Sequence, residues 1–158
     1  NHLPEGVTYC PANINKEELN QKIYPNHDVF VLPSYQDSFG LVYLEALSHG
    51  LPVLSTDRFA MPEMIISGAN GITVTPPFKY YLDDCRANTD FWGVDLTKLI
   101  NEQVIDTDYV KKLTKGILNC IENRQKYAQQ SEKLFDQRFS QEIRNISFRN
   151  MLDRCTNA

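Results

Sequence analysis

The chain has 158 residues, of which 42% are hydrophobic and 23% are charged, a balance that is typical of a globular domain and excludes a disordered or fibrous protein. Its 16 basic and 20 acidic residues leave a net charge of −4, which argues against a nucleic-acid-binding face and against a polybasic membrane patch. The longest mostly apolar run, residues 29–33, is too short to span a bilayer. The four Cys residues lack the spacing of a zinc site, so free thiols are expected, with one disulfide in an exported protein as the alternative.

Short strands alternate with short helices through the first half of the chain. Strands are predicted over residues 7–9, 28–32, 52–55 and 72–74. Helices are predicted between Asn15 and Pro25 and over residues 40–48 and 62–66. The two strands at 28–32 and 52–55 are apolar on both faces, as a strand buried in a parallel sheet should be. The alternation therefore predicts repeated strand–helix–strand units and a parallel sheet.

The second half of the chain is predicted to be helical. After an aromatic segment without periodicity, residues 78–92, helices are predicted over 95–104, 106–123, 124–139 and 140–155. The last helix has an apolar stripe formed by Ile143, Ile146, Phe148, Met151 and Leu152. Residues 1–158 are interpreted as one α/β domain, a Rossmann-like parallel half-sheet of three or four strands followed by a helical tail.

A polar loop and a helix start follow the strand at residues 28–32. Ligands of open α/β sheets bind beyond the carboxyl ends of the strands, which is where residues 33–40 lie. The start of a helix presents unpaired N–H groups and the positive end of the helix dipole, and both favour an anion such as a phosphate. Gly40 allows a ligand to approach the backbone closely. This segment is the candidate binding site.

Two carboxylates, Asp37 and Glu45, lie on either side of this helix start. Glu45 lies about 7.5 Å along the helix axis at 1.5 Å per residue. From there its carboxylate could accept two hydrogen bonds from a vicinal diol while the helix start holds a phosphate. That combination suits a nucleoside diphosphate joined to a sugar. The alternative is that Glu45 only caps or solvates a surface helix.

Residues 33–53 read PSYQDSFGLVYLEALSHGLPV, and residues 62–71 read PEMIISGANG. In order and spacing, the first segment resembles the signature of the family 4 glycosyltransferases of the GT-B fold, P-S-x-x-E-x-F-G-L-x-x-x-E-A-x-A-x-G-x-P-V. The second segment resembles the P-E-x-I…G-x-N-G pattern that follows it in that family. The resemblance extends over residues 7–76, about half of the chain.

The resemblance implies roles for the residues of the first segment. Glu45 corresponds to the second Glu of the family's E-x7-E motif, which holds the ribose hydroxyls of a sugar nucleotide. Asp37 stands at the first Glu, which contacts the donor sugar near the reacting centre, so both acids are candidate catalytic residues. The backbone groups expected to contact the sugar and the diphosphate, and the loop expected to cradle the base, belong to Ser38, Phe39, Gly40, Leu41, Val42, Cys10, Pro11 and Ala12.

The resemblance also implies the setting of the reaction. The donor would be a UDP- or GDP-linked sugar, used without a metal or other cofactor, and the acceptor a glycan or a lipid-linked molecule in surface polysaccharide or glycan synthesis. The chain would be most of the C-terminal donor-binding domain of a retaining enzyme, cytoplasmic or attached to the membrane surface through its other half. The acceptor domain and the opening strand, which carries an Arg and a Lys for the leaving diphosphate, would precede it. This piece alone is therefore expected to be inactive.

Three features leave alternatives open. Asp37 is one methylene shorter than the family's Glu, which favours a second hypothesis, a non-catalytic nucleotide-binding or assembly module on the same scaffold. Arg58 follows the second strand and is expected at the surface rather than on a phosphate. Asp106-Thr107-Asp108 has the D-x-D spacing of a metal motif, but its place directly before a helical run favours N-capping.

Overall fold

The computed structural model of the chain describes residues 3–11, 13–35, 37, 39–78, 81–82, 86–89 and 105–156. The predicted helix over 95–104 lies outside the described residues, as do Ser38, Ala12 and much of the aromatic segment. No helix in the described part is both long and apolar enough to cross a membrane.

The helices lie close to where the sequence places them. In the described residues they are α1 (Lys16–Glu18), α2 (Leu41–Ser48), α3 (Met61–Met64), α4 (Thr107–Glu122), α5 (Arg124–Arg138) and α6 (Gln141–Thr156). The helix predicted between Asn15 and Pro25 begins at the expected cap, where the Asn15 side chain accepts the Glu18 N–H at 2.8 Å. It then continues through a π turn (Leu19–Ile23) and a 3-10 turn (Tyr24–Asn26). The 3-10 turn contains Pro25, which has no N–H to donate to a regular helix.

A parallel sheet of three strands lies at the centre of the described fold. Its order is β1 (Phe30–Leu32), β2 (Val53–Thr56) and β3 (Gly71–Val74), and both pairings are parallel, as predicted. All four residues of β2 are buried, which confirms the expectation for the strand at 52–55. The expectation that residues 28–32 are buried on both faces is wrong at Val31, which is 41% exposed. As an edge strand, β1 is covered less completely than β2.

The strand predicted over residues 7–9 is wrong. These residues form no strand, and Tyr9 is 69% exposed. The Val7 N–H donates instead to the Pro4 carbonyl at 3.2 Å and closes a turn. A strand exists only with a hydrogen-bonded neighbour, and the described residues provide none for this segment.

Two clusters of buried side chains pack on opposite faces of the sheet. Val53 belongs to one cluster, with residues of α2 and α3, and its neighbour Leu54 belongs to the other, with residues of α4 and α5. Successive residues of a strand point to opposite faces, so β2 holds both clusters together. The helices thus cover the two faces of the sheet and leave the carboxyl ends of its strands for the loops.

The last helix of the tail has an exposed apolar face. The predicted helix over 140–155 is confirmed as α6, and the Ser140 hydroxyl accepts the Ile143 N–H at 3.4 Å, as a cap does. Its apolar stripe is exposed at Ile146, Phe148, Met151 and Leu152. The cysteines that the structure describes, Cys10, Cys120 and Cys155, are free thiols.

Tyr43 attaches the start of α2 to the ends of the strands. Its hydroxyl donates to the Leu32 carbonyl at 2.8 Å, and the Ser55 hydroxyl lies 2.9 Å from it. Gly40 precedes α2 in the left-handed conformation with φ 74°, and a Cβ there would lie 2.4 Å from Cδ2 of Tyr43. The ring cannot retreat without losing its bonds to β1 and β2, so this turn requires glycine.

We therefore expect Gly40→Ala to lower the free energy of unfolding by about 3 kcal/mol, from left-handed strain together with the clash against Tyr43. Gly68→Ala is the matched control, because Gly68 is also left-handed but a Cβ there would meet no atom within 4 Å. The control should lose about 1 kcal/mol. Urea unfolding of the two variants measures the difference, and equal losses would contradict the proposed clash.

The D-x-D pattern before α4 acts as a helix cap in this fold. The Asp106 carboxylate accepts the N–H groups of Asp108 and Tyr109 at 3.0 and 2.8 Å. We expect Asp106→Ala to destabilise the protein by about 1 kcal/mol and Asp106→Asn to retain most of that stability. Asp108→Ala, which removes an exposed first-turn carboxylate and its pair with Lys111, should cost less than Asp106→Ala in the same urea unfolding measurement.

Candidate functional site

The loop from β1 to α2 brings the predicted site residues to the carboxyl ends of the strands. The hydroxyl of Thr56, at the end of β2, donates to the Ser34 carbonyl at 2.7 Å and holds the loop against the sheet. Asp37, Phe39 and Gly40 follow directly and lead into α2. This is the edge at which open α/β sheets bind ligands.

The start of α2 is open to an anion. Gly40 offers no side chain to cap the helix, so the first-turn N–H groups of Leu41 and Val42 have no partner within the helix. Both side chains are exposed, Leu41 to 67%. The positive end of the helix dipole adds to these donors, and the arrangement can therefore receive a phosphate.

Asp37 is turned toward its own loop. Its Oδ1 accepts the Phe39 N–H at 3.2 Å, which closes a tight turn before α2, and the residue is half-buried. One oxygen of this carboxylate thus already supports the backbone, and a sugar could bond only to what remains of its acceptor capacity.

Glu45 lies one turn into α2 and has partners from α1 and the turns after it. Its Oε2 accepts the Tyr24 hydroxyl at 3.0 Å, and its Oε1 lies 4.0 Å from the ammonium of Lys16. The side chain remains 31% exposed. A carboxylate held in this way can still accept hydrogen bonds from a diol, since its oxygens offer about four lone-pair sites.

Tyr24, which donates to Glu45, is held in place by the residues packed around it. The residue is only 6% exposed, and its ring stacks on His49 with the ring centroids 5.0 Å apart. Nδ1 of His49 lies 2.8 Å from the Glu45 carbonyl oxygen, so the imidazole is itself bound to α2. Burial first, and then the bond to Glu45 and its charge, raise the pKa of Tyr24 to about 12. The phenol therefore remains a hydrogen-bond donor throughout the physiological pH range.

A groove beside α2 contains the Glu45 carboxylate. It encloses a volume of about 360 Å³, which falls in the range of small-molecule sites. Its walls come from α1 and the π turn, from one face of α2 and from α5, and include Lys16, Asn20, Leu41, Ser48 and Phe135. The groove is thus large enough for part of a nucleotide.

Other predicted residues lie apart from this groove. Cys10 and Pro11 are exposed in the segment before α1, and Ser38 lies outside the described residues. Arg58 is mostly buried, with its Nε 3.2 Å from Oδ1 of Asp57, so the expectation of a surface role is only partly met. Among the described residues, no three His, Cys, Asp or Glu side chains cluster as a metal site would require.

Sequence reasoning missed Tyr24 and Lys16. Tyr24 precedes Glu45 by 21 residues, and neither a motif nor a helical period connects the two. The only available signal was that an aromatic residue directly before Pro25 ends a helix that must pack on the sheet. That signal predicts burial but does not predict a hydroxyl bond to a particular carboxylate.

The contact between Tyr24 and Glu45 can be tested by titration. The charge and hydrogen bond of Glu45 both raise the pKa of Tyr24, so Glu45→Gln should lower it from about 12, with burial keeping it above the ordinary value of about 10. Tyrosine 13Cζ shifts followed against pH measure this change. Tyr127, whose pKa is raised by burial and not by Glu45, is the internal control. An unchanged Tyr24 titration would contradict the contact.

Comparison with known proteins gives this geometry a family context. Residues 2–79 match the family model described as Glycosyl transferases group 1. Sucrose synthase 1 of Hordeum vulgare is 27% identical over 131 residues, 81% of this chain and 15% of that protein. D-inositol 3-phosphate glycosyltransferase of Nocardia farcinica is 39% identical over 72 residues, 46% of this chain and 16% of that protein. The chain thus spans less than a fifth of the length of these relatives.

Two solved structures share the fold. The pneumococcal O-GlcNAc transferase GtfA, in complex with UDP and GlcNAc, matches with a TM-score of 0.60 at 18% identity, over 89% of this chain and 23% of that chain. Anabaena Alr3699/HepE, in complex with UDP-glucose, matches with a TM-score of 0.50 at 20% identity, over 84% of this chain and 29% of that chain. The predicted α/β class, a parallel half-sheet with a helical tail, is confirmed. Residues 2–79 are thus similar to the Glycosyl transferases group 1 family, and the chain shares the α/β fold of these two GT-B-type structures.

Proposed function

We propose that this chain is the donor-binding part of a retaining glycosyltransferase, which transfers a sugar from a nucleotide to a hydroxyl acceptor. One observation carries the proposal: a single helix, α2, presents both an N-terminus whose N-cap, Gly40, has no capping side chain and, one turn later, the partly exposed carboxylate of Glu45. The first suits a diphosphate and the second a ribose diol. Their order along α2 matches the order of these groups in a nucleotide sugar.

In this proposal the chain acts mainly by positioning and by electrostatics. The N–H groups of Leu41 and Val42 bind the diphosphate, and their dipoles stabilise the negative charge that develops as the sugar leaves. Glu45 holds the ribose, and the sugar is assigned to Asp37 and the backbone of Phe39 and Gly40. The base is assigned to Cys10 and Pro11 by the resemblance alone, because neither residue lines the groove that contains Glu45. Holding the donor in one geometry lowers the barrier because its freedom of motion is lost on binding rather than in the reaction.

The nature of the donor is part of the proposal. The pneumococcal and Anabaena structures contain UDP or UDP-glucose, which favours a uridine nucleotide over a guanosine nucleotide here. No metal ion is assigned a role, because the donors offered to the diphosphate are backbone N–H groups. The acceptor, a glycan or lipid-linked molecule of surface polysaccharide synthesis, would bind through a second domain. The chain alone would then bind a donor without turning it over.

A second candidate function is a nucleotide-binding or assembly module without catalysis. It is favoured by Asp37, which is shorter than the Glu of the family's signature and whose Oδ1 is engaged by the Phe39 N–H. In such a module the nucleotide would still bind, but the sugar would contribute nothing to affinity. Comparing UDP with UDP-glucose distinguishes the two functions: tighter binding of the sugar nucleotide, lost in Asp37→Ala, supports the transferase.

Nucleotide binding can be tested directly by ligand-observed NMR with UDP, GDP and ADP, with and without Mg²⁺. We expect one nucleotide, UDP, to bind with a dissociation constant on the order of 1 mM, about −4 kcal/mol. Glu45→Ala should weaken it at least about tenfold, because a charge-assisted pair of hydrogen bonds is lost. Mg²⁺ should change neither value.

The matched control is Glu122→Ala, which removes an exposed carboxylate at the end of α4, away from the groove. It should leave nucleotide affinity unchanged, which separates the loss of Glu45 from a general change in charge. A folded protein that binds none of the three nucleotides would overturn the proposal, and so would binding that Glu45→Ala does not affect.

A further inference from the structure

We infer that Tyr24 is a positioning residue for ribose recognition, which presets the Glu45 carboxylate so that the site prefers a ribonucleotide over a 2′-deoxyribonucleotide. The inference rests on the proposed function, since it assumes that Glu45 receives the ribose. It adds a residue from outside both signature segments, and it states what that residue contributes to specificity.

The first step is that the two oxygens of the Glu45 carboxylate have different partners. The Tyr24 hydroxyl donates to Oε2 at 3.0 Å and uses one of its lone pairs. Lys16 is the cation nearest to Oε1, at 4.0 Å, and its side chain is 79% exposed. A mobile surface ammonium holds a carboxylate weakly. The orientation of Glu45 therefore depends on Tyr24, which leaves Oε1 for the ligand.

The second step is that Tyr24 itself cannot move. Its ring is buried, stacks on His49 at 5.0 Å and contacts Phe30 of β1 at 6.3 Å between centroids. His49 in turn lies 2.8 Å from the carbonyl oxygen of Glu45. The phenol is thus held by the same helix whose carboxylate it orients. A rigid donor of this kind is what a preorganised site requires of the groups around its binding residues.

The third step concerns free energy. A Glu side chain has three rotatable bonds, and ordering it during binding would reduce affinity. Tyr24 orders it on folding instead. The gain is larger for a ribonucleotide, because two hydrogen bonds from the diol require one orientation of the carboxylate, whereas the single 3′-hydroxyl of a 2′-deoxyribonucleotide accepts several. Tyr24 should therefore change the ratio of the ribonucleotide affinity to the 2′-deoxyribonucleotide affinity. It should not change how strongly the backbone N–H groups bind the diphosphate of either nucleotide.

The experiment measures dissociation constants of UDP and 2′-deoxy-UDP by NMR for the wild type, Tyr24→Phe and Tyr127→Phe. The wild type should prefer UDP about tenfold, the effect of one hydrogen bond to a charged group. Tyr24→Phe keeps the ring, the stack and the burial but removes the hydroxyl. We expect it to reduce the preference at least threefold while the constant for 2′-deoxy-UDP changes less than twofold.

Tyr127→Phe is the matched control. Tyr127 is also buried, and its hydroxyl donates to Asn119 at 2.8 Å, but neither residue lines the groove that contains Glu45. It loses the same atom from a core position and should leave the UDP preference unchanged. Thermal unfolding of both variants checks that they are folded under the conditions of the binding measurement.

The outcomes separate this inference from the proposed function. Equal weakening of both nucleotides in Tyr24→Phe would show a structural role and overturn the inference, while nucleotide binding by the wild type would still support the donor site. An unchanged preference would overturn it as well. If the wild type binds UDP and 2′-deoxy-UDP equally, or binds neither, the assignment of Glu45 to the ribose fails, and the role of Tyr24 fails with it.

Discussion

The bond between the Tyr43 hydroxyl and the Leu32 carbonyl fixes the start of α2, the helix that carries the candidate site, at the end of β1. It joins the first turn of α2 to the last residue of β1, and Ser55 of β2 adds a second attachment. The ring then occupies the space beside Gly40, which only a residue without a Cβ can share. The uncapped start of α2 at the sheet edge is thus a consequence of packing inside the core. The geometry of the candidate site thus depends on Tyr43, a fully buried residue that lies beneath it.

The two acidic residues of the signature have different environments in the fold. Asp37 lies in a turn and accepts a backbone N–H two residues later, so part of its acceptor capacity stabilises the loop. Glu45 lies on a regular helix, and its carboxylate accepts a hydrogen bond from the Tyr24 hydroxyl, which belongs to another element. A short acidic side chain in a loop readily forms such a turn, whereas one on a helix surface projects toward its neighbours. The two carboxylates therefore differ in the partners they can bind because one lies in a loop and the other on a helix, although both are acids.

Local patterns predicted most of the fold because each element carries its own signals. The β2 strand is a continuous apolar run, α2 begins after a glycine, and α4 begins at an Asp cap. The failures occurred where structure depends on neighbours. Residues 7–9 have strand composition but no partner in the described sheet, and Val31 is exposed because β1 is an edge strand. The composition of a segment indicates which secondary structure it prefers, whereas strand pairing and side-chain burial depend on the rest of the chain.

For this protein, the sequence by itself determined the fold class, the helix that carries the candidate site residues and the similarity of its first half to a known family. Spacing along α2 is a local property, and it can be counted from the residues alone. Only the tertiary structure decided that the Tyr24 hydroxyl donates to Glu45 across 21 residues and that the Tyr43 hydroxyl donates to the Leu32 carbonyl across 11. Hydrogen bonds of this kind require two groups to meet at about 3 Å, and that meeting is set by how the helices pack on the sheet.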